Sequence, residues 1–461
     1  MKSATLIVLT LILLPGVGGA AVVAPAATAH QRDVIVLSDL HMGTAEGPGV
    51  EDFYHDRDLA NMLDQRLALQ RGNGRALSLV LAGDAFEFRK RLTAPAVSVP
   101  MSETASKQRL LEIAGAHPEV FAALSRFADA GNTIVLIPGN HDTDLNHPSV
   151  QEEFRKLVKT QMKNKRALNI VFSPWFYLVG NALIEHGQRY EPSNSVDYML
   201  CHTRPDGRLR YAESDIFVEE LVTPLLHEHG KLLCQKMSPK KLLGLIRGLP
   251  SALNKLFGFC RSLAARLGVP DEDITSRIRR RSDRRLLGLL DEGGFYEGFN
   301  ETRKAMGMRP LSRWDTYMLL RAFGNLAAPS TLNQAKPESY MRFLWSRLRH
   351  HWRDPSTNGT LAQGEAFAMK HFPVDVFVTG HTHLAHHRQF VGADGREKHS
   401  VDAGSWVGVR RSAKESEKLP GLHFVELAVD AGKATPRLLR WGRGKAKGRP
   451  AKILRGAPHH R

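Results

Sequence analysis

The sequence is poor in cysteine: Cys201, Cys234 and Cys260 are the only three in 461 residues. An odd count at wide, irregular spacing excludes a thiolate zinc knuckle and a disulfide framework. One bridge in an oxidising compartment stays open, as does the plainer role of small buried apolar side chains. Acidic residues are also short. Against 64 Lys and Arg there are 47 Asp and Glu, a net charge of +17. That imbalance favours anionic partners such as nucleic acid, anionic lipid or a phosphorylated substrate, and carries no information on fold. The chain lacks the composition of a many-spanning or disordered protein. Its 42% apolar and 24% charged residues describe a globular chain, long enough for one domain and a sizeable insertion.

The first 29 residues read as an export signal. Lys2 supplies a minimal positive start, residues 4–14 form an apolar core, and Pro15 ends it. Ala27-Thr28-Ala29 then offers a small-x-small cleavage site before His30. An uncleaved membrane anchor is the other reading, although prolines at 15 and 25 suit a span poorly. On either reading the rest of the chain lies outside the cytoplasm, periplasmic or extracellular, with membrane association left open.

From Asp33 onward short apolar runs alternate with helical stretches, the pattern of an α/β domain. Strands are expected over 34–37, 77–82, 133–137, 169–172, 176–179, 182–184, 374–378, 400–403 and 424–429. Between 205 and 366 the strand-like runs give way to Leu- and Arg-rich segments at helical spacing. The expected organisation is therefore a signal over 1–29, a core in two parts over 30–204 and 367–436, and a helical insertion between them. Residues 437–461 hold nine Lys or Arg and no acid, and read as a disordered basic tail.

Chemistry-bearing residues cluster just after predicted strands, where α/β folds place their ligands. The first strand leads into Asp39-Leu40-His41, whose i and i+2 side chains converge if the segment is extended. The second leads into Gly83-Asp84 with Glu87 close behind, and the third into Gly139-Asn140-His141-Asp142. Glu185-His186-Gly187 and Gly380-His381-Thr382-His383 follow two later strands. Singly these are weak: a Gly-Asp is more often a helix cap, and a lone strand-end His a satisfied core residue. Together they offer carboxylate, amide and imidazole donors that suit borderline divalent cations, and fit neither a calcium cage nor a thiolate site. His141 beside Asp142 suggests an imidazole held in one tautomer by a carboxylate.

The five motifs, in this order, resemble the calcineurin-like metallophosphoesterase superfamily. The resemblance implies an α/β fold, an αββα sandwich with the site at the strand C-termini. It implies two divalent ions, Mn, Fe or Zn. Asp39, His41 and His383 would hold one, Asn140, His186 and His381 the other, and Asp84 would bridge them. His141 would be the catalytic histidine near the leaving group and Asp142 its orienting partner. Glu87 stands where the family often has Asp, which leaves the ligand set intact. Such a site hydrolyses a phosphate ester or pyrophosphate with a hydroxide held between the ions.

Residues 229–270 contain no acid and eight Lys or Arg among many Leu, Ile and Phe. A segment of that kind lies on an anionic membrane, lids a site for a lipid- or nucleotide-linked substrate, or simply packs its own leucines under a basic face. The basic tail and residues 277–285 also sustain an alternative from another class, a non-catalytic polyanion- or membrane-binding protein on this fold. No specific protein partner is implied.

Overall fold

The computed structural model describes residues 31–46, 51–90, 102–164, 167–191, 194–196, 272–291, 294–326, 359–407 and 422–442. It adds isolated positions between 200 and 215 and the backbone of two short strands near the C-terminus. The expected signal (1–29), the cationic stretch 240–269 and all three cysteines lie outside the described residues.

Two sheets face each other. The first takes β1 (Arg32–Leu37), β2 (Ala76–Ala82), β3 (Thr133–Ile137) and β4 (Ile170–Phe172), all parallel. On the other edge of β1 runs antiparallel β10 (Leu422–Asp430), then β11 (Lys433–Trp441) and the two-residue β12 (Arg449–Pro450). The second sheet orders as β13 (Leu454–Arg455), β8 (His386–Val391), β9 (Glu397–Asp402), β7 (Val376–Thr379), β6 (Ala182–Glu185) and β5 (Phe176–Val179).

Period-two alternation divides each strand between two layers. In β1 and β2, Val34, Val36, Val80 and Ala82 turn inward to meet Tyr177, Ile184, Val376 and Val401 of the facing sheet. Their neighbours Ile35, Leu37, Leu79 and Leu81 turn outward, under helices α1 (Asp56–Asn73), α2 (Glu103–Ala116), α3 (Pro118–Asp129) and α4 (Pro148–Thr160). The outer face of the second sheet is covered by α5 (Glu272–Asp291), α6 (Phe295–Ala305), α7 (Arg313–Gly324) and α8 (Gly359–His371). Leu286, Leu289, Phe295, Phe299, Leu320, Phe323 and Phe372 pack there on Phe176, Leu183 and Phe377. The fold is an αββα sandwich.

The described helices of the 205–366 region are therefore the second helical layer of the sandwich rather than a separate body. Leu286, Leu289, Leu290 and Leu320 pack on the sheet behind the site, and the segment read as a lid, 240–269, lies outside the described residues.

The basic-tail reading also needs correction at its start. Residues 437–441 belong to β11, in register with β10 from Asp430↔Lys433 to Leu422↔Trp441. Along β11, Ala434, Pro436 and Leu438 are buried while Lys433, Thr435 and Arg437 are exposed. The arginines that suggested a tail occupy the solvent side of a half-buried strand. Charge composition concealed a period-two pattern.

Candidate metal centre

The C-terminal ends of β1, β2, β3, β6 and β7 open onto one point, and backbone hydrogen bonds lock their loops together. The amide of Asp39 donates to Gly83 O (3.1 Å), that of His41 to Asp84 O (2.9 Å), and that of Gly380 to His186 O (3.0 Å). Five of the seven described non-glycine residues at positive φ are Asp39, His41, Asp84, His381 and His383. Left-handed backbone is costly for such side chains and persists where surrounding contacts over-determine it. It also changes the geometry expected at Asp39 and His41, whose side chains converge from a tight turn rather than an extended strand.

Two motif glycines leave room for neighbouring side chains. A Cβ on Gly380 would sit 1.8 Å from Ser38 Oγ and 2.6 Å from Asp39 Oδ2. Gly83, at φ 87°, would put one 2.3 Å from the His186 ring.

Three overlapping clusters of potential ligand atoms result, each within 4.8 Å: Asp39, His41 and His383; His41, Asp84 and His141; Asp84, His186 and His381. His383 Nε2 lies 3.2 Å from Asp39 Oδ1 and 3.2 Å from His41 Nε2. Asp84 Oδ2 faces His186 Nε2 at 3.3 Å and His41 Nε2 at 3.7 Å. Asp84 thus stands between the first and last clusters. His186 gives its Nδ1–H to Ala82 O (2.9 Å) in the tautomer that leaves Nε2 as a lone-pair donor.

Asp39 Oδ1, Asn140 Oδ1 and His186 Nε2 are buried with no hydrogen-bond partner. A folded protein rarely leaves such atoms without a hydrogen bond, and oxygen and imidazole donors of this kind fit cation ligation. The electrostatics agree. Burial would raise the carboxyl of Asp84, yet the charges of His186 and His141 hold it well below the carboxylate range. Burial opposes charge on His41, but hydrogen bonds to Asp39 and Glu87 outweigh it and raise the imidazole to about 10. His186 is likewise opposed by burial and raised to about 9, chiefly by Asp84 and Asp39. The carboxylates create a demand for positive charge that bound cations would meet. The residues present fit divalent metal binding.

His141 is placed differently from expectation. Its Nδ1 lies 2.8 Å from Glu87 Oε2. Asp142 does not orient it. The Asp142 carboxylate instead accepts the backbone N–H groups of Gly139 (2.6 Å), Ala85 (2.8 Å), Asp84 (3.2 Å) and Phe86 (3.3 Å). Adjacent side chains diverge, so His141 enters the site while Asp142 pins the two loops together beneath it. Burial and the neighbouring Asp84 charge push the Asp142 carboxyl up to about 7.

Sequence reasoning missed two further residues. Glu191 Oε2 lies 2.8 Å from His381 Nε2, and Asn194 Nδ2 lies 3.4 Å from the same nitrogen. No motif spacing announces Glu191, which caps the short 3-10 helix Gln188–Tyr190 after Gly187.

Residues 33–243 match the family model of the calcineurin-like phosphoesterases. This stretch is a calcineurin-like phosphoesterase domain. His381 and His383 lie beyond the matched stretch, and the second sheet carries them to the site as its fifth motif. A comparison with curated proteins finds no match.

Proposed function

We propose that the protein is a metal-dependent hydrolase of phosphoric ester or pyrophosphate bonds, working with two divalent ions. Asp39, His41 and His383 would hold one ion, and Asn140, His186 and His381 the other. Asp84 would be shared. The observation that carries this reading is the position of Asp84, which clusters with His41 and His141 on one side and with His186 and His381 on the other.

Ions bound there supply Lewis-acid charge for phosphoryl oxygens and acidify water. The chain's own residues contribute orientation and a proton. Glu87 fixes Nδ1 of His141 and leaves Nε2 to hydrogen-bond or protonate the leaving oxygen. Access is from one side. The side chains of His383 and His141 are 42% and 20% exposed, whereas those of Asp39, Asp84 and His186 are at most 2% exposed. Substrate therefore approaches over His383 and His141, with lipid-linked and nucleotide-linked esters both in range.

The test is reconstitution with Mn, Fe or Zn, followed by metal analysis and a panel of monoester, diester, pyrophosphate, nucleotide and phospholipid substrates. The reading requires about two ions per chain and metal-dependent turnover of at least one ester class. Metal bound without turnover on any of them would leave a polyanion-binding protein on this fold.

We also propose export, from the N-terminal segment read above. N-terminal sequencing of protein recovered outside the cytoplasm of an exporting bacterial host should begin near His30. An intact Met1 in the membrane fraction favours the anchor.

A further inference from the structure

Two imidazoles of the centre are held from behind by one ring nitrogen. His186 gives Nδ1–H to Ala82 O (2.9 Å), and His141 has Nδ1 2.8 Å from Glu87 Oε2. His381 has a carboxylate in the same position, since Glu191 Oε2 lies 2.8 Å from its Nε2. Its backbone is pinned as well: the amide of His381 donates to Asp39 Oδ2 (2.9 Å), at a φ of 70°. A fixed backbone still leaves the ring free to turn about its side-chain torsions. A hydrogen bond to one nitrogen aims the other.

Glu191 is itself firmly mounted. It closes the 3-10 helix, with its amide on Gln188 O (3.1 Å) and its carbonyl accepting the amides of Asn194 (3.0 Å) and Ser195 (2.9 Å). Asn194 Nδ2 also donates to Glu191 Oε2 (2.7 Å). The turn before it is locked to the second helical layer. Arg189 spans Glu185 Oε2 (3.1 Å) and Phe323 O at the end of α7 (2.8 Å), and the Tyr190 hydroxyl donates to Glu185 Oε1 (2.6 Å). A Cβ on Gly364 of α8 would lie 2.3 Å from the Tyr190 ring. Glu185, Arg189 and Tyr190 are at most 2% exposed. Residues 185–191 therefore carry one metal-centre histidine, His186, and the partner of another, His381. Among the described residues no ligand cluster includes Glu191, so it stands behind His381 rather than beside it.

We propose that Glu191 is a positioning residue for the second ion. It accepts a hydrogen bond from Nε2 of His381 and so presents the other ring nitrogen to the cluster with Asp84 and His186. Its charge makes that nitrogen a stronger donor than a neutral acceptor would. The inference rests on the two-ion reading above, but on metal binding alone and not on turnover. It also gives the second helical layer a part in the centre, because α7 and α8 hold the turn that leads into Glu191.

The experiment is manganese titration of the metal-free full chain, followed by metal analysis and electron paramagnetic resonance. The wild type should take a second ion and show a spin-coupled pair. Glu191→Ala should weaken one ion by about 10–100-fold and spare the other, so that uncoupled manganese appears at loadings that fill the wild type. Glu191→Gln still accepts the imidazole N–H but without the charge, and should fall between. The Glu191 side chain is 18% exposed, and unchanged melting temperatures of the metal-free variants would certify the fold. If Glu191→Ala melts lower, Glu191→Gln decides. The proposal is overturned if both variants bind manganese like the wild type, or if the two ions weaken equally. It is also overturned if affinity rises, which would make Glu191 a competitor for His381. A wild type that holds the coupled pair but hydrolyses no ester ends the hydrolase reading and leaves this one standing. A wild type that takes no second ion overturns both.

Discussion

His141 Nδ1 and Glu87 Oε2 are 2.8 Å apart, and the same carboxylate oxygen lies 3.3 Å from Lys90 Nζ. Glu87 is fully buried, and its other oxygen accepts the amides of Arg89 (2.8 Å) and Lys90 (3.1 Å). Burial would raise its carboxyl, but His141 and Lys90 hold it well below the usual range, so it stays ionised. An anchored anion behind an imidazole fixes both ring orientation and tautomer.

The first prediction follows from that pairing. Glu87→Gln should slow turnover by about 10²-fold on substrates with poor leaving groups, less on nitrophenyl esters, and weaken metal retention only through His41, which Glu87 also faces at 3.6 Å. Glu87→Asp should recover part of the loss. Equal rates for all leaving groups, measured alongside metal analysis, would remove Glu87 from the proton path.

Asp142→Asn should behave in the opposite way. Its four accepted backbone amides hold the Gly83 and Gly139 loops together, so the variant should lose about 1–3 kcal/mol of stability. Thermal melts should record this, and the leaving-group dependence of turnover should stay that of the wild type.

Much of the site was legible because its ligands are short motifs at strand ends. Asp39, His41, Asp84, His186, His381 and His383 fall in overlapping clusters, and Asn140 follows the neighbouring strand with its Oδ1 buried. Their metal roles await measurement. The His141 partner was not legible, since chain adjacency favours Asp142 while the fold turns that side chain away. Nine of the sandwich's strands follow from apolar runs flanked by turns. Strand β8 was missed because His386-His387-Arg388-Gln389 is a polar edge segment, and β11 because its arginines outweigh its alternation in any composition count. The second helical layer read as an insertion because sequence shows helices without showing what they cover.

A third prediction concerns the bridging carboxylate. Asp84→Asn should reduce both ions, whereas His383→Ala, at the exposed rim, should reduce one. Metal-to-protein ratios by plasma emission distinguish the two. Wild-type metal content in Asp84→Asn would defeat the shared-ligand assignment.

Gly380→Ala supplies a fourth. The added methyl would overlap Ser38 Oγ and Asp39 Oδ2, and Ser38 cannot withdraw without losing its bond to Ala82 O (2.9 Å). A loss of about 1–3 kcal/mol is expected, together with weaker metal retention through the displaced Asp39. Chemical denaturation with and without chelator should detect both effects.

The fifth concerns stability and pH away from the site. His117 is buried between Glu51 (3.1 Å) and Asp56 (2.8 Å). Burial opposes its charge, but hydrogen bonds to Asp56 and Glu51 raise it from 6.5 to about 9. A raised folded-state value means that protonation favours the fold. The contribution is complete below pH 6.5 and disappears as pH rises through about 9. His117→Gln should therefore cost up to about 3 kcal/mol at pH 6 and much less at pH 10. Equal costs at both pH values would show that the imidazolium is not the stabilising form.

Strand β1 sits between β2 and β10, and His41 meets His383 across 342 residues of sequence. A ribosome adding about 5–20 residues per second therefore leaves the first strand without one neighbour for on the order of tens of seconds. During that interval Asp39, His41 and Asp84 are already made, but the ring that completes their cluster is not. The cluster that Asp39 and His41 form with His383 can therefore close only once residue 383 has been made, and the first sheet only once β10 has arrived.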